Sequence, residues 1–377
     1  MRRLLFVLGS RGEWGYIKPI IEKSKDFGFE SEICAVNMVL LPRHGNLIEE
    51  IETSGFNVSS RILSAISGDT HGAMAKSVGV VTQSFVDVLL SKQPDWVILA
   101  GDRAEQLGAA IASTFMYIPT AHIQAGERSG NIDGVTRHAI TKLVHLHFAS
   151  NEDAAERVLR MGEEGFRVIT SGAPQLDSLM HDPRPSKEDL MTNNLIQDEP
   201  YMLVCFHPVT EDYKNIESQI DALIQEVNNF PLNKVWILPN NDAGGEKIRE
   251  RVMGAKSLTD RVYSNLSREN YVALMENCEF LIGNSSSGIL EAPSLKIPVV
   301  NLGRRQADRV SAQNVHHCGF GETEIQEAMK WATSPQAKIE AREAVNPYGD
   351  GHASERILQT LKDTDTSMKF LAKSIAY

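Results

Sequence analysis

The sequence predicts an α/β protein built from two doubly wound, Rossmann-like domains. Short apolar runs alternate with longer amphipathic stretches, which is the pattern of parallel strands joined by crossover helices. The chain has 377 residues, more than a single domain core usually requires. The alternation stops in a polar, proline-punctuated stretch and then starts again. We therefore expect one parallel sheet on each side of that stretch, with the two domains facing a cleft.

The apolar runs give the predicted strands and the domain limits. In the first domain they lie at 3–8, 31–36, 95–100, 119–124 and 146–150. In the second they lie at 201–206, 234–238, 261–264, 280–282 and 298–301. The pattern predicts an N-terminal domain over 1–182, a linker over 183–200, a C-terminal nucleotide-binding domain over 201–355 and a helical segment over 356–377 that can pack back on the first domain.

Composition and charge narrow the possible partners. The formal net charge of −11 argues against binding to nucleic acid or to an anionic membrane, since polyanions require a basic surface. No stretch approaches the roughly 20 apolar residues that cross a bilayer. The four cysteines are far apart and show no metal-ligand spacing. We therefore predict a cytoplasmic protein with reduced thiols, no metal, no cofactor, no nucleic-acid partner and no membrane partner.

Polar side chains at strand ends are the first candidates for a ligand site. Ligands of doubly wound sheets bind beyond the carboxyl ends of the strands. Two such sheets facing each other would bring the residues at those ends into one cleft. The residues at these positions are Arg11, Asp102, Gln124, His207, Asn240 and Ser285.

Two glycine loops that follow predicted strands could bind an anion. Residues 9–13 (GSRGE) open a helix, whose unpaired N–H groups attract negative charge. This loop lacks the GxGxxG pattern, so an ordinary turn explains it equally well when it is taken alone. Residues 283–288 (GNSSSG) place three hydroxyls at a helix start, which suits a diphosphate, although a cluster of N-cap residues is the alternative. Glu291, in the same helix, could reach ribose hydroxyls.

Residues 122–138 form the densest polar segment, with acids, arginines, histidines and glycines in one passage from strand to helix. A long polar loop after a strand is frequently functional. Packing can also explain the histidines of this region, and we favour packing for His145 and His147.

Two further strand ends carry ionisable side chains. Asp102 and Arg103 directly follow the apolar run 95–100, either as a surface cap or as part of the site. His207 follows the first strand of the second domain. Imidazole titrates near neutral pH, so His207 could act as an acid or a base.

Eight short segments, in this order and spacing, together resemble the UDP-N-acetylglucosamine 2-epimerases, and within them the hydrolysing branch that supplies sialic-acid-type and legionaminic-acid-type sugars. The resemblance covers almost the whole chain. The segments lie at 9–13, 74–77, 101–103, 130–133 together with 137–143, 206–210, 239–244, 283–288, and 301–303 together with 305–306.

The resemblance implies a GT-B-like fold, with the active site between the domains, and a homo-oligomer, either a dimer or a tetramer. It also implies a UDP-linked sugar as the substrate and a reaction in two stages, elimination of UDP followed by hydration. The implied catalytic residues are Asp102, Asp133, Gln124, Glu127 and His207. The implied substrate-binding residues are Arg11, Glu13, Lys76, Ser77, Arg103, Arg137, His138, Asn240, Asp242, Ser285, Ser286, Ser287, Gly288, Glu291, Arg305 and Gln306.

Gln124 departs from the family pattern, which places a catalytic glutamate at this position. An amide cannot act as a general base. Either Gln124 only binds the sugar while Asp102 and Asp133 share the proton chemistry, or Glu127 supplies the missing carboxylate. A changed substrate, such as a 6-deoxy-4-acetamido hexose, is a third explanation.

Three other functions remain as alternatives to the hydrolysing epimerase. A non-hydrolysing epimerase would release its product still attached to UDP. A GT-B glycosyltransferase would require an acceptor. A catalytically silent nucleotide-sugar sensor would bind without releasing UDP.

Overall fold

The computed structural model describes residues 1–41, 47–66, 71–128, 132–239, 244–264, 266–306 and 308–377. Two of the predicted binding residues, Asn240 and Asp242, lie outside this part of the chain. The chain forms two compact units, one of residues 1–178 together with 348–377 and one of residues 179–347.

The first unit contains a seven-stranded parallel sheet with the order β3-β2-β1-β4-β5-β6-β7. Its strands are β1 (Arg2–Leu8), β2 (Phe29–Val36), β3 (Val58–Ile62), β4 (Trp96–Ala100), β5 (Thr120–Ile123), β6 (Leu146–Ala149) and β7 (Val168–Thr170). Its first helices are α1 (Arg11–Ser24), α2 (Leu47–Thr53), α3 (His71–Lys92), α4 (Ala104–Phe115), α5 (Ile132–Leu143), α6 (Glu152–Arg160) and α7 (Gln175–His181).

The second unit contains a six-stranded parallel sheet with the order β10-β9-β8-β11-β12-β13. Its strands are β8 (Tyr201–Cys205), β9 (Asn233–Ile237), β10 (Arg261–Tyr263), β11 (Phe280–Gly283), β12 (Val299–Leu302) and β13 (Val315–Cys318). Its helices are α8 (Lys187–Thr192), α9 (Ile216–Asn229), α10 (Gly245–Ala255), α11 (Arg268–Glu276), α12 (Ser286–Leu290), α13 (Ala292–Leu295), α14 (Glu322–Ala332) and α15 (Pro335–Glu343).

The chain ends with α16 (Ala353–Asp363) and α17 (Met368–Leu371), which belong to the first unit. Short 3₁₀ helices cover Lys25–Phe27, Asn37–Leu40, Gly165–Arg167 and Thr210–Asn215. The two parallel-sheet units confirm the predicted α/β fold class.

The central strand β1 shows why both faces of the first sheet must be covered. Leu4, Phe6 and Leu8 contribute to the core on one face, whereas Leu5 and Val7 contribute to the core on the other. Consecutive side chains of a strand point to opposite faces, so a fully apolar run can be buried only between two helical layers.

The edge strands β3, β7 and β13 were not predicted from the sequence. An edge strand is only partly covered, so it does not need a continuous apolar run. The sequence VSSRI of β3 and the sequence VHHC of β13 are accordingly mixed in polarity. Strand β7 has three residues, and all of them are only partly buried.

The stretch 183–200, expected to be a linker, contains α8. This helix begins with a capping box in which Ser186 and Asp189 each bind the other's backbone N–H. Leu190 and Ile196 are buried in a core cluster of the second unit. A capped helix with a buried leucine is an integral part of that unit, so the stretch is not an extended spacer.

The C-terminal segment starts before the predicted limit at residue 356. The carboxylate of Asp177 accepts hydrogen bonds from the backbone N–H groups of Ala353 and Ser354, at 2.9 and 2.7 Å. These bonds cap the start of α16, where backbone donors lack helical partners. Ile357, Leu358 and Leu361 of α16 then pack into the core on one face of the first sheet.

Helix α3 differs from the expectation that no stretch could cross a bilayer. By length and composition alone, residues 72–92 are long and apolar enough to span a membrane. Val81, Phe85 and Leu89 of this helix are nevertheless buried in the first unit. An apolar helix that covers one face of a parallel sheet can have the same length and composition.

Candidate active site

The loop after β1 is closed by the carboxylate of Glu13. Its Oε2 accepts hydrogen bonds from the backbone N–H groups of Gly9 and Ser10, at 2.5 and 3.1 Å. Burial, together with the nearby charge of Glu105, raises the pKa of Glu13 to about 8. This predicted substrate-binding residue therefore shapes its own loop and can carry a proton near neutral pH.

Arg103, which follows β4, interacts with three carboxylates. Burial opposes its charge, but the carboxylates of Glu105, Glu13 and Asp133 raise the pKa of its guanidinium. Its Nε donates to Glu105 Oε1 at 3.3 Å. Asp133, in the first turn of α5, is thus electrostatically coupled to this cluster. Glu105, which is 2% exposed, is a member that we did not predict.

Arg137 joins the ends of β4 and β5. Its Nη2 forms an ion pair with Asp102 Oδ2, and its Nη1 donates to the backbone oxygen of Gln124 at 2.6 Å. Only 5% of Arg137 is exposed. Gln124 has a φ of +60°, in the left-handed region. The guanidinium therefore fixes the position of a carboxylate and of a strained backbone segment at once.

His122 supports the same edge of the sheet from within. Its Nε2 donates to the backbone oxygen of Gly101 at 2.6 Å. Burial lowers the pKa of His122 to about 3, so the ring is neutral at physiological pH. Burial and the charge of Arg137 also lower the pKa of His138.

Glu127 points its carboxylate at the start of α6. Its Oε1 accepts hydrogen bonds from Ser150 Oγ and from Asn151 Nδ2, the latter at 2.9 Å. Asn151 is itself the N-cap of α6. The structure therefore gives Glu127 an anchoring role in the loop after β5.

The remaining predicted residues of the first unit are not brought to these strand ends by any described side-chain contact. The guanidinium of Arg11 pairs with Glu50 at 2.9 Å, and both side chains are more than half exposed. Such an exposed pair contributes little stability and can exchange for another anion. Ser77 Oγ donates to the backbone oxygen of Ala73 at 3.0 Å within α3, and Lys76 is exposed on the same helix.

In the second unit, Asn284 connects three loops. Its side-chain amide pairs with the backbone of His207, accepting from the N–H at 2.7 Å and donating to the carbonyl at 2.8 Å. Its backbone oxygen accepts from Arg305 Nη1 at 3.0 Å and from Gln306 Nε2 at 3.2 Å. The segments after β8, β11 and β12 therefore meet at this residue.

The serines of the loop after β11 differ in their contacts. Ser285 is the N-cap of α12 and accepts from the backbone N–H of Ser287 at 3.3 Å. The hydroxyl of Ser287 also binds Tyr271 Oη at 2.5 Å. Ser286 is more exposed than either. Both the capping interpretation and an anion site are compatible with this arrangement, since backbone N–H groups of a helix start remain available.

Two predicted binding residues next to this loop have structural contacts of their own. Glu291 Oε1 pairs with Arg268 Nη2 at 2.7 Å. A Cβ on Gly288 would lie 2.9 Å from Val299 Cγ1, so glycine is required for α12 to pack against β12.

His207 is neutral in this environment. Burial, followed by the charge of Arg305, lowers the pKa of its imidazole to about 4. Its Nε2 lies 3.4 Å from the thiol of Cys205. Above pH 5 this ring is therefore uncharged, with one nitrogen that donates a hydrogen bond and one that accepts.

Sequence reasoning missed Glu105, Gln175, Tyr271 and Asn284. Only Asn284 lies inside a segment that we singled out. The others have no motif, because burial at a strand end is a property of the fold. In the part of the chain that is described, no group of three or more His, Cys, Asp or Glu side chains is arranged to hold a metal ion.

The fold is that of a two-sheet α/β protein. The loops of its first unit carry arginines and carboxylates, and those of its second unit carry an arginine and a helix start. Residues 21–362 match the UDP-N-acetylglucosamine 2-epimerase family, and the chain belongs to this family. The predicted resemblance is thereby confirmed, and so is the prediction of an enzyme of this type at the level of the family.

Two similar proteins are hydrolysing epimerases. The UDP-N,N'-diacetylbacillosamine 2-epimerase (hydrolyzing) of Legionella pneumophila is 34% identical over 384 residues, which cover 100% of both chains. The GDP/UDP-N,N'-diacetylbacillosamine 2-epimerase (hydrolyzing) of Campylobacter jejuni is 31% identical over 323 residues, which cover 83% of each chain.

A solved structure supports the fold. The UDP-GlcNAc 2-epimerase of Neisseria meningitidis, bound to UDP-GlcNAc, superimposes with a TM-score of 0.81 at 22% identity. The match covers 96% of this chain and 100% of the other. At this identity the likeness concerns the fold, and it confirms the predicted GT-B-like class.

Proposed function

We propose that this chain is a hydrolysing nucleotide-sugar 2-epimerase. It converts UDP-N-acetylglucosamine, or its 2,4-diacetamido-2,4,6-trideoxy relative, into UDP and the free 2-epimer. The observation that carries the proposal is the Asp102–Arg137 ion pair beside Gln124, in a chain aligned along its full length with a hydrolysing epimerase. The product would supply sialic-acid-type or legionaminic-acid-type sugar synthesis.

The chemistry explains why carboxylates and arginines are both needed. The C2 proton of an acetamido sugar is not acidic, because no carbonyl withdraws charge from that carbon. It becomes removable as the C1–O bond breaks and C1 gains positive charge. The C2–H electrons form the C1=C2 double bond, and the bonding pair of C1–O leaves with UDP. Water then adds its oxygen to C1 while C2 accepts a proton on the opposite face.

Two residues of the first unit are the proposed proton-transfer and charge-stabilising groups. Asp133 acts as the base, and Asp102, held by Arg137, stabilises the cation at C1. Proton transfer by a positioned side chain contributes about 10²–10⁴-fold to the rate. Gln124 binds the sugar without exchanging protons, since its amide is not basic.

In this proposal, residues of the second unit stabilise the departing diphosphate. Arg305 and the start of α12 at Ser285 and Ser286 offer a guanidinium, hydroxyls and backbone N–H groups. Donors already in place where negative charge develops are the largest single contribution in many enzymes. Neutral His207 is the proposed proton shuttle to the leaving phosphate, and Arg11 is a further anion contact.

The diacetamido sugar is the favoured substrate. It is the substrate in the names of the Legionella and Campylobacter relatives, and Gln124 in place of a glutamate is compatible with a changed sugar. The non-hydrolysing reaction is the second candidate, because the matched family is described as UDP-N-acetylglucosamine 2-epimerase, a name that does not specify hydrolysis.

An NMR time course in D₂O tests the proposal, with UDP-N-acetylglucosamine and the UDP-linked diacetamido sugar as parallel substrates. Elimination followed by hydration releases UDP and a free 2-epimer that carries deuterium at C2, and the faster substrate identifies the sugar. A 2-epimer still attached to UDP would replace this proposal with the non-hydrolysing reaction. No loss of UDP from either donor would overturn it.

We also propose that the protein is a cytoplasmic homo-oligomer, a dimer or a tetramer. The support is α3, which exposes the apolar side chain of Met74, at 49% exposed. Leu90 of this helix is 62% exposed. Apolar side chains that are exposed in one copy can be covered by a second copy. Light scattering tests this, with Leu90→Glu expected to weaken the assembly.

A further inference from the structure

Two buried glutamine amides lie together at the carboxyl edge of the first sheet. Gln124 follows β5, and Gln175 opens α7 after β7. The Nε2 of Gln124 donates to Gln175 Oε1 at 3.4 Å. The two residues are 8% and 6% exposed. The pairing joins positions 51 residues apart, so it exists only in the folded chain.

Each glutamine is attached to a firmly held backbone. The backbone oxygen of Gln124 accepts from Arg137 Nη1 at 2.6 Å. Helix α7 is held through Asp177, whose carboxylate caps the start of α16. The two amides are therefore held in place by their supports before any ligand arrives, as a binding group requires.

The side-chain N–H donor of Gln175 lacks an acceptor in the described part of the chain. Gln175 Nε2 is buried and has no hydrogen-bond partner among the residues that the structure describes. A buried N–H without an acceptor is costly, and native structures rarely contain one without a reason. A ligand that brings its own acceptor to this point would remove the cost.

We propose that Gln175 binds the carbonyl oxygen of an acetamido group on the sugar, an inference that rests on the proposed function. The chemistry of the pair selects the ligand class. Both side chains are neutral and offer no counter-charge for an anion or a cation, and the nearby guanidinium of Arg137 is already paired with Asp102. An amide carbonyl is a strong acceptor that carries no proton, and it matches an N–H donor better than a hydroxyl does. The acetamido group at C2 or at C4 can occupy this place.

The test measures binding and needs no turnover. The probes are phosphonate analogues of UDP-sugars, in which a methylene replaces the anomeric oxygen, so the enzyme cannot cleave them. One pair differs only at C2, glucose against N-acetylglucosamine. A second pair of 2-acetamido-2,6-dideoxy sugars differs only at C4, hydroxyl against acetamido. Calorimetry gives the preference for the acetamido member of each pair.

Two variants separate substrate binding from support of Gln124. Gln175→Glu keeps an acceptor for the Gln124 amide but removes the donor. Gln175→Met removes both and keeps the length of the side chain. We expect the wild-type protein to prefer the acetamido member of one pair by about 10-fold, and both variants to reduce this preference to within about twofold. Affinity for UDP itself and the thermal midpoint serve as controls.

The results separate the possible roles. A preference lost in the C2 pair assigns the contact to the C2 substituent, and one lost in the C4 pair assigns it to the C4 substituent. A Gln175→Glu variant with the wild-type preference would overturn the proposal and leave Gln175 as a support for Gln124. So would a wild-type protein without any preference. Failure of the 2-epimerase reaction would leave these binding data readable, so the two proposals can fail separately.

Discussion

The side-chain amide of Asn284 pairs with the backbone of His207 in both directions, accepting from its N–H at 2.7 Å and donating to its carbonyl at 2.8 Å. One side chain thus replaces a strand partner for the residue that follows β8. The same residue accepts from Arg305 and Gln306 through its backbone oxygen. Much of the loop geometry in the second unit therefore depends on a residue that needs no contact with the substrate.

Removal of this amide is expected to impair both stability and activity. In Asn284→Ala, the N–H and the carbonyl of His207 lose their partner inside the protein, which costs about 1–3 kcal/mol per unsatisfied group. We expect a lower free energy of unfolding in urea and a fall in kcat/KM, because His207 loses the side chain that fixes its position, whereas the backbone oxygen that Arg305 binds is kept.

Asn314→Ala is the matched control. Asn314 is fully buried and donates to the backbone oxygen of Ile297 at 2.7 Å, but it contacts none of the proposed binding residues. It should also lose stability, because the carbonyl of Ile297 loses its partner, and it should keep its kcat/KM at temperatures where it remains folded. Equal losses of kcat/KM in the two variants would exclude a special role for Asn284.

The two carboxylates that could replace the missing glutamate are expected to behave differently. Asp133→Asn should lower turnover by at least about 10²-fold while UDP binding survives, because an amide cannot remove a proton. Glu127→Gln should lose less than about tenfold, because the Gln oxygen can still accept from Ser150 and Asn151. Steady-state kinetics and UDP titration check both. A large loss of turnover in Glu127→Gln, together with normal turnover in Asp133→Asn, would make Glu127 the base and remove Asp133 from that role.

The pKa of Glu13 predicts how stability depends on pH. Its folded pKa is raised to about 8, so the folded state holds a proton that the unfolded chain releases near its ordinary value. Between these two pKa values the folded state binds more protons, and stability falls as pH rises. We expect the wild-type free energy of unfolding to decrease from pH 5.5 to pH 8.5.

Glu13→Gln removes this titration and imitates the protonated side chain. Its amide oxygen can accept from Gly9 and Ser10, as the carboxylate does. The variant should be more stable than the wild type at pH 8.5 by at least about 1 kcal/mol, since one pKa unit corresponds to about 1.4 kcal/mol. Urea unfolding at both pH values measures the difference. Parallel pH profiles for the two proteins would contradict the assignment.

Chelation of divalent metals is expected to leave the activity intact. Arg305, the hydroxyls of Ser285 and Ser286 and the backbone N–H groups at the start of α12 can stabilise the departing diphosphate without a cation. Release of UDP should continue at the same rate in excess EDTA. Activity that is lost in EDTA and restored by Mg²⁺ would show that a metal shares this task.

The sequence by itself determined the fold class and the order of the loops. The continuous apolar runs of β1 and β4 can be buried only inside a covered parallel sheet, and polar residues directly after such runs must lie at its carboxyl edge. These local patterns are why Asp102, Gln124, His207 and Ser285 could be named before any coordinates.

Only the tertiary structure decided which of these residues meet. Arg137 reaches Asp102 across 35 positions, and Gln175 reaches Gln124 across 51. The order of strands brings these pairs together, and that order is set by non-local pairing and by burial of both sheet faces. Glu105 and Gln175 carry no motif, because their importance comes from being buried beside a charge or an amide. A pattern in the linear sequence does not show which distant residues become neighbours in the fold.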